Sequence, residues 1–369
     1  MQILIIVQDY PSQENKYAMN YVHTRNLEYL KEGFSMKVLS FNAKKSYSYE
    51  GIEVCTYTEF LTAYQGDEID LIISHAPNLR SHIRFLLNKK LQFNKILFFI
   101  HGHEVMKKSK YYPEPYDYIK SSSIKKQMNN VYDSFKLAFL KRFMEKKFKA
   151  GKLKIIFVSK WMKDTFLENI SIREKVLDEN SYVISNSMNQ VFIDRTYHQA
   201  ASTKADFITV RPLDQSKYAV DLVVKLAEKH PDLSFHIYGK GSYFSHNKQP
   251  ENIEVFQDFL KPDDLAELLN EYRCALMPTR LDAQGVMMCE IATYGMPIVT
   301  SDLPICKEML GTFDNAFFMD NETSDFNLNQ ALLSINPDAN KEVLKRKFSL
   351  ENTIHQEMEV IKSLIKNHR

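Results

Sequence analysis

The hydrophobic and polar positions in the first half of the chain alternate between short apolar runs and helical stretches. The apolar runs are "ILIIV", "MKVLSF", "DLIISH", "KILFFIH" and "KIIFVS". Helical patterns follow the first, third and fifth of them, at residues 18–32, 78–91 and 160–169. Strands that alternate with helices are typical of βαβ units, in which a parallel sheet is covered on both faces. The pattern therefore predicts a doubly wound α/β domain.

The same alternation begins again after a polar, irregular stretch that ends near Ala205. The apolar runs are now "DFITV", "LSFHIYG", "NIEVF", "CALMPT" and "PIVTS", and helices are predicted at 217–229, 262–272 and 285–294. Ligands of open α/β sheets bind beyond the carboxyl ends of the strands. We therefore expect two Rossmann-like domains, 1–184 and 185–350, that face across a cleft. A final helix, 351–369, is expected to pack back on the first domain.

The composition indicates a class of protein, and the charged residues are distributed unevenly between the two halves of the chain. The 369 residues are 44% hydrophobic and 25% charged, as in ordinary globular proteins. The opening "MQILIIV" is too short to span a bilayer, and the four cysteines show no CxxC spacing. A reducing, cytoplasmic location is expected. Residues 1–180 carry 29 Lys and Arg against 20 Asp and Glu, and residues 181–369 carry 19 against 26. The first half is therefore expected to face an anionic surface.

The stretch "LDAQGVMMCE" (281–290) places two carboxylates around a glycine at the start of a predicted helix. If the helix begins near Gly285, its first amides and its dipole form an anion site that a phosphate can approach closely. Glu290 then lies about 7 Å further along the helix axis, where a carboxylate can accept hydrogen bonds from a diol. The alternative is structural, with Asp282 as a helix cap and Glu290 as a solvated helix residue.

Two further constellations follow strands of the second domain. In "VRPLDQSKY", Arg211 ends a strand and Lys217 stands at the predicted start of a helix, where a cation opposes the dipole unless an anion intervenes. These residues are predicted to clamp a diphosphate; the alternative is an exposed lysine and a structural arginine. In "YGKGSY", Gly239 and Gly241 leave room for close backbone approach, and a plain turn is the alternative.

Histidines follow two strands of the first domain. "FFIHGHE" places His101 directly after a strand with His103 and Glu104 behind it, and "IISHAPN" does the same for His75. All are candidates for a site at the strand ends, although a lone histidine is more often structural. No DxD motif stands out, and HGHE lacks the HExxH spacing of zinc proteases. No catalytic metal is therefore expected.

Taken in order, these motifs resemble glycosyltransferase family 4, the retaining nucleotide-sugar transferases of the GT-B fold, over nearly the whole chain. "DAQGVMMCE" is similar to the family's acidic motif, which implies that Glu290 binds ribose hydroxyls and Asp282 binds hydroxyls of the donor sugar. The amides of Gly285, Val286 and Met287 would bind the sugar or its phosphates. "VRPLDQSKY" is similar to the family's phosphate-binding Arg and Lys, and "HG" implies that His101 contacts the donor sugar.

The resemblance extends to "VISNSMNQVF", with Asn186 at the family's Asn, and it has departures. Asp282 is one methylene shorter than the usual Glu, Ser187 replaces a glycine, and Asp258 stands where a glycine is common. The family's Gly-rich loop after the first strand is replaced by "YPSQENKYAMNY".

The implied activity is the metal-independent transfer of a hexose, without a cofactor, from a nucleotide sugar to an acceptor hydroxyl. The donor is expected to be a UDP-sugar, and the acceptor a saccharide or lipid-linked saccharide of bacterial surface polysaccharide or glycoconjugate synthesis, with His75 and His103 on the acceptor side. Three alternatives stay open: a catalytically silent GT-B binding partner, a GT-B nucleotide-sugar epimerase and a nucleic-acid binder. The acidic second half and the lack of a nucleic-acid motif count against the last.

A basic segment of the first domain predicts a membrane contact. Residues 136–154 hold eight Lys or Arg and one Glu, with Leu137, Leu140, Met144 and Phe148 at helical spacing. Such a segment can lie on the inner face of the cell membrane as an amphipathic helix. The alternative is a surface helix with an apolar core stripe and a solvated basic face.

Overall fold

The computed structural model describes residues 2–15, 18–120, 122–258, 260–322 and 325–366. The chain divides into two compact units. The first comprises Met1–Lys108, Asn129–Ser187 and Leu350–Arg369, and the second comprises Ser109–Met128 and Met188–Ser349. A short segment of the first half of the sequence thus belongs to the second unit.

The described strands follow the apolar runs of the sequence. They are β1 (Ile3–Val7), β2 (Met36–Ser40), β3 (Tyr47–Tyr49), β4 (Ile52–Thr56), β5 (Ile69–His75), β6 (Phe93–Ile100), β7 (Leu153–Phe157), β8 (Ser181–Val183), β9 (Ala205–Val210), β10 (Phe235–Tyr238), β11 (Ile253–Phe256), β12 (Tyr272–Met277), β13 (Ile298–Ser301) and β14 (Ala316–Met319). All five residues of β1 are buried, as expected for a strand covered on both faces.

The described helices flank these strands. They are α1 (Asn20–Lys31), α2 (Tyr57–Ala63), α3 (Arg84–Leu86), α4 (Lys108–Tyr111), α5 (Ser123–Lys149), α6 (Lys160–Ile170), α7 (Glu174–Asp178), α8 (Gln190–Asp194), α9 (Val220–Lys229), α10 (Tyr243–His246), α11 (Pro262–Leu269), α12 (Val286–Thr293), α13 (Pro304–Leu310), α14 (Leu328–Leu333), α15 (Glu342–Lys347) and α16 (Ile354–Lys366). None of the helices in the described part of the chain is long and apolar enough to cross a bilayer.

Each unit is built on a sheet whose strand order reverses once. Among the described residues, the first sheet has the order β3-β4-β2-β1-β5-β6-β7-β8 and the second the order β11-β10-β9-β12-β13-β14. The pairing of β3 with β4 is antiparallel, and the remaining pairs are parallel. The order reverses between β1 and β5 in the first unit and between β9 and β12 in the second. The prediction of two doubly wound parallel-sheet domains is confirmed.

Three local predictions differ from the structure. The predicted helix 78–91 is a single π-helical turn, Leu79–Ile83, followed by the short α3. The Asn78 side chain accepts a hydrogen bond from the Ser81 amide at the start of this turn, and α3 already ends at Leu86. The predicted helix 217–229 begins only at Val220, after a 3-10 turn at Ser216–Tyr218. The helix predicted within 136–154 ends at Lys149, since Leu153 already belongs to β7.

The last helix belongs to the core of the first unit. Ile354, Met358 and Ile361 of α16 are buried in one hydrophobic cluster with residues of β1 and β5. The same helix carries Glu357, a fully buried carboxylate that accepts hydrogen bonds from Arg25 and Tyr29. The last helix is therefore fixed within the first unit by apolar packing and by a buried ion pair.

Candidate active site

The point where the strand order of the second unit reverses is the place at which the sequence motifs meet. Arg211 directly follows β9, and the loop 278–285 follows the neighbouring strand β12. Parallel strands bring their carboxyl ends to the same edge of the sheet, and a crevice opens where adjacent strands send their connections to opposite faces. A cavity of about 450 Å³ lies there. Its size falls in the range of small-molecule sites.

The lining of this cavity combines apolar walls with a few charged groups. It includes Arg211, Lys240, Asp258 and Asp282 as charged residues, and Tyr218 and Tyr238 as aromatic ones. The other lining residues are Val210, Pro212, Gly239, Leu260, Leu265, Val286 and Met287. Tyr238 is itself supported by Phe256, whose ring is stacked 4.5 Å away. Flat aromatic faces beside opposite charges suit a ligand with a planar ring and an anionic group.

Asp282 organises the loop that leads into α12. Its Oδ1 accepts hydrogen bonds from the backbone amides of Ala283, Gln284 and Gly285, at 2.8, 3.3 and 2.8 Å. Gly285 precedes the helix with φ +73°, a left-handed conformation that glycine adopts without a steric penalty. Asp282 therefore acts as a structural cap for this loop and also lines the cavity.

The first turn of α12 faces the same cavity. Val286 and Met287 are its first two residues and both line the cavity. Amides in the first turn of an α-helix have no carbonyl partner within the helix, and the helix dipole makes this end attractive to anions. The first turn of α12 thus provides donors and partial positive charge next to Arg211.

Glu290 lies one turn further along α12. Its half-buried carboxylate accepts a hydrogen bond from the backbone amide of Asn189, with Oε1 3.2 Å from the nitrogen. Burial raises the pKa of Glu290 to about 7, against the effect of this hydrogen bond. The carboxyl group is consequently a donor as well as an acceptor near neutral pH. Of the described residues, those that line the cavity include neither Glu290 nor Lys217.

Arg211 is a buried cation with an incomplete set of acceptors. Its Nη2 donates to the carbonyl of Met277 at 3.1 Å, and its guanidinium carbon lies 5.2 Å from the ring centre of Tyr218. Its buried Nε has no hydrogen-bond partner among the described residues. Burial lowers the pKa of Arg211, while the Asp282 carboxylate acts in the opposite direction. An unsatisfied buried donor on a charged group is costly, so an external acceptor would stabilise this arrangement.

Lys217 lies in the 3-10 turn rather than at the start of α9. Its Nζ is 4.5 Å from the ring centre of Tyr218, and its carbonyl accepts hydrogen bonds from the Arg280 amide and the Thr279 hydroxyl at 2.7 and 3.0 Å. Ala219, with φ 54°, separates this turn from the helix. Lys217 therefore shares an aromatic neighbour with Arg211, but the opposition between its charge and the dipole of α9 is not what positions it.

The two glycines of "YGKGSY" let the loops after β9 and β10 touch. A Cβ atom at Gly239 would lie 1.7 Å from the carbonyl oxygen of Arg211, which no side chain can occupy. A Cβ at Gly241 would lie 2.8 Å from the Cβ of Leu213. The amide of Leu213 donates to the carbonyl of Lys240 at 3.0 Å across the same contact. These glycines thus hold the backbone of Arg211 in place.

Arg280, which was not singled out in the sequence, connects the loop that contains Asp282 to the turn that contains Lys217. Arg280 donates to both oxygens of Asp221, at 2.7 and 2.6 Å, and to the carbonyl of Ser216 at 2.9 Å. Although burial raises the pKa of Asp221, hydrogen bonds from Arg280 and Tyr116 hold it below its ordinary value. The bidentate pair fixes the turn of Lys217 to the loop that contains Asp282.

Two tyrosines from residues 109–128 reach the same loops within the second unit. Tyr116 donates its hydroxyl to Asp221 at 3.1 Å, and Tyr118 donates to Asp214 at 2.9 Å. Asp214 also accepts from the amide and the hydroxyl of Ser242, at 2.8 and 3.0 Å. The ring of Tyr118 is stacked on the Tyr243–His246 turn, 4.5 Å from the ring of His246. The segment therefore braces the loops after β9 and β10.

The candidate histidines His75, His101 and His103 lie together in the first unit, and none of them lines this cavity. Nδ1 of His75 lies 3.3 Å from Nε2 of His101, and the His101 ring is 4.7 Å from the Tyr21 ring. Burial lowers the pKa of both histidines well below the ordinary value, so both are neutral at pH 7. The backbone amide of His101 donates to Glu104, and His103 is exposed with Nδ1 3.4 Å from the second Glu104 oxygen. His75 is fully buried, which favours a role in orienting His101.

Comparisons with known proteins bear on both units. Residues 192–345, which lie within the second unit, match the family model described as glycosyl transferases group 1. A sucrose-phosphate synthase from Thermosynechococcus elongatus has a similar structure over 99% of each chain, with a TM-score of 0.69 and 10% sequence identity. The fold is GT-B.

Other solved structures have a similar fold. A glycosyltransferase from Rickettsia africae matches over 99% of each chain with a TM-score of 0.62 and 13% identity. A mutant of S. aureus TarM, in complex with fondaparinux, alpha-GlcNAc-glycerol and UDP, matches over 99% of each chain with a TM-score of 0.60 and 10% identity. A comparison with curated proteins finds no match. At these identities the solved structures establish the fold.

Within this GT-B chain, the predicted residues fall into three groups. Arg211, Gly239, Asp282, Val286 and Met287 line one cavity. Gly285, Lys217, Gly241 and Glu290 lie in the loops and the helix that surround it, and His75, His101 and His103 lie in the first unit. Within the described residues, no group of three His, Cys, Asp or Glu side chains is arranged to hold a metal ion.

Proposed function

We propose that the chain is a retaining glycosyltransferase that moves a hexose from a nucleoside diphosphate sugar, in first place a UDP-sugar, to an acceptor hydroxyl. The observation that carries this proposal is the buried Nε of Arg211, which has no acceptor among the described residues and belongs to a cavity beside the first turn of α12. A diphosphate supplies the missing acceptor. The family match over residues 192–345 and the UDP bound by TarM support this choice of ligand.

The cations and amides of the site stabilise the departing diphosphate in this proposal. Negative charge grows on the phosphate oxygen as the bond from the sugar C1 breaks. Arg211, Lys217 and the amides of Val286 and Met287 supply fixed positive charge and donors before the reaction begins. Preorganised electrostatic stabilisation of this kind is usually the largest single contribution to catalysis. It removes the need for a divalent metal.

The two carboxylates hold hydroxyl groups. Oδ1 of Asp282 is already engaged by three backbone amides, so its Oδ2 takes the hydroxyl of the donor sugar. Glu290, with a pKa near 7, binds the ribose diol as a mixed donor and acceptor. A shorter Asp at position 282 fits this division, because the side chain must reach back to its own loop as well as to the sugar.

The bond changes are those of a substitution with retention. The acceptor oxygen attacks C1 on the face from which the diphosphate leaves, a new C1–O bond forms, and the C1–O bond to the diphosphate breaks. The proton of the acceptor hydroxyl passes to the departing phosphate oxygen. Neutral His101 hydrogen-bonds the donor sugar in this proposal, with His75 as its support and His103 on the acceptor side.

We propose a lipid-linked saccharide of bacterial surface polysaccharide or glycoconjugate synthesis as the acceptor. The basic first half of the chain, +9 over residues 1–180 by the counts above, supports an anionic or membrane-bound acceptor. A cytoplasmic enzyme at the inner face of the membrane meets both the nucleotide sugar and such an acceptor.

The test is mass spectrometry of the protein with UDP-, GDP- and dTDP-sugars, scoring retained ligand and slow donor hydrolysis. We expect one nucleotide to be retained and its sugar to be released slowly. Conversion of the donor to another sugar nucleotide without an acceptor would identify an epimerase. The anomeric configuration of a transferred sugar, measured by NMR, decides between retention and inversion.

A catalytically silent binding partner is a second candidate. It is favoured by the use of Asp282 as a loop cap and by the absence of glycine from "YPSQENKYAMNY", of which Lys16 and Tyr17 lie outside the described residues. Such a protein would retain no nucleotide and hydrolyse no donor in the same assay. Hydrolysis that is lost in Arg211→Lys would exclude it.

A further inference from the structure

A row of large apolar side chains is exposed along the first half of α5. Ile124, Met128, Val131 and Phe135 are exposed by 72%, 67%, 69% and 60%. Their spacing of four, three and four residues places them on one narrow face of the helix. We call these four residues the exposed stripe. An apolar row of this kind, rather than scattered single residues, marks an interaction surface.

The same face becomes basic towards the end of the helix. At 100° per residue, Arg142, Lys146 and Lys149 fall on the line of the exposed stripe, and all three are exposed. Ala138, between the two groups, is exposed as well. From Ile124 to Lys149 this face is about 37 Å long at 1.5 Å per residue. One side of one helix thus presents an apolar part followed by a cationic part.

The other side of α5 is already occupied. Leu137, Leu140, Met144 and Phe148 are all buried, with exposures of 7% or less. The apolar positions that the sequence suggested for insertion into a membrane are therefore core residues, as in the alternative interpretation given there. They anchor the helix and are not free to meet a lipid. Any contact with an external surface must use the opposite face.

The charges beside the exposed stripe decide between two kinds of partner. Its spacing is that of a coiled-coil seam, so a second copy of the chain is one candidate. Among the side chains that the structure describes, the flanking positions of such a seam are Gln127, Tyr132, Ser134, Phe139 and Lys141. They contain one cation and no carboxylate, so two copies have no opposite charges to pair there. An anionic bilayer complements both the apolar and the cationic parts.

We propose that this face of α5 docks on an anionic lipid bilayer. The exposed stripe enters the boundary between headgroups and acyl chains, and Arg142, Lys146 and Lys149 contact lipid phosphates. Binding is reversible, because one amphipathic surface does not anchor a protein permanently. It has a salt-sensitive part from the cations, since the Debye length falls from about 8 Å at 0.15 M to about 3 Å at 1 M. The apolar part is largely insensitive to salt.

The experiment is flotation of the full chain with vesicles of phosphatidylcholine, with and without phosphatidylglycerol, and without any nucleotide sugar. The first variant carries Val131→Ser and Phe135→Ser, and the second carries Arg142→Glu, Lys146→Glu and Lys149→Glu. Both change exposed side chains, so folding is checked by thermal melting. Matched controls are Leu333→Ser, at an apolar residue that is 80% exposed, and Lys45→Glu with Lys89→Glu and Lys90→Glu, which are exposed elsewhere.

We expect the native chain and both controls to float with the anionic vesicles, and each of the two variants to bind at least tenfold more weakly at 0.15 M salt. Equal flotation of native and variant chains, or equal binding to phosphatidylcholine alone, would overturn the proposal. A concentration-dependent dimer in light scattering that the serine variant abolishes, without lipid binding, would assign the face to a second copy. Because no donor is present, failure here leaves the proposed transfer reaction untouched, and the reverse also holds.

Discussion

Arg25 of α1 and Glu357 of α16 form a fully buried ion pair, with Nε of the arginine 2.9 and 3.0 Å from the two carboxylate oxygens. Tyr29 donates its hydroxyl to the same carboxylate at 2.8 Å, and Arg25 Nη2 donates to Asn186 at 2.8 Å. The pair joins residues 332 positions apart in the sequence. Through Arg25, the network fixes both α16, the last helix, and the chain at Asn186 to α1.

Loss of one partner of this pair should destabilise the first unit strongly. Glu357→Ala leaves Arg25 buried without its counter-ion, and breaking a buried pair in this way costs about 3–5 kcal/mol. Urea unfolding followed by circular dichroism measures the change, with the exposed Glu359→Ala on the same helix as the control. The double variant Arg25→Met, Glu357→Leu should recover part of the loss. A cost below about 1 kcal/mol for Glu357→Ala would show that the pair is not needed.

Loss of the hydrogen bond from Tyr116 or from Tyr118 should affect donor binding more than folding. Tyr118→Phe removes one hydrogen bond to Asp214, worth about 0.5–1.5 kcal/mol, and frees the loop that carries Gly241. We expect the donor KM to rise roughly twofold to tenfold with a small change in kcat. Tyr116→Phe should behave alike. Tyr182→Phe, at an exposed position in the first unit, is the control. An unchanged donor KM in both variants would show that these two tyrosines do not support donor binding.

Glu290 should make stability depend on pH. Its pKa is raised to about 7 in the folded chain, so between its ordinary value near 4.3 and pH 7 the folded state holds more protons than the unfolded state. Its contribution to stability is therefore present below about pH 4.3 and is lost as the pH rises through about 7.

Glu290→Gln lacks this titration and should gain stability relative to the native chain as the pH rises from 5 to 8, by roughly 1–3 kcal/mol. Its transfer activity should nevertheless fall, because the ribose contact is altered. Melting temperatures across this pH range measure the effect, and the exposed Glu251→Gln is the control. A constant difference between native and Glu290→Gln chains at all pH values would mean that the carboxylate titrates normally.

Activity should survive removal of divalent metal. The fixed charges of Arg211 and Lys217 and the first-turn amides of α12 occupy the role that a metal plays at a diphosphate in other transferases. We expect most of the transfer or hydrolysis rate to remain after dialysis against EDTA. Magnesium or manganese that restores a fully lost rate would refute this prediction.

The strands that the sequence predicted are those with long apolar runs, because a parallel strand buried on both faces needs them. β1 and β6 are examples. β3 was missed because "YSY" at an antiparallel edge is half exposed, whereas β4 and β14 were missed although "IEVCT" and "AFFM" are largely apolar. Arg211, Asp282 and Gly285 were accessible to prediction because each lies just beyond a strand whose end the sequence marks.

No local sequence feature predicted the contacts that Tyr116, Tyr118 and Arg280 make around the site. Tyr116 and Tyr118 stand about 100 residues from the aspartates that they contact, in a segment that belongs to the second unit only through tertiary packing. Arg280 looks like any polar residue after a strand until its two bonds to Asp221 are seen. The membership of the chain in family 4 specifically stays a prediction.

The most direct test of the central claim is calorimetric titration of UDP, with GDP and dTDP for comparison, into the native chain and into Arg211→Lys in EDTA. Lysine keeps the charge of Arg211 but has no Nε–H at the position that lacks an acceptor. The account predicts that one nucleotide binds the native chain, and that Arg211→Lys binds it at least tenfold more weakly, about 1.4 kcal/mol, with an unchanged melting temperature. Equal binding by both chains, or no binding of any nucleoside diphosphate, would contradict it.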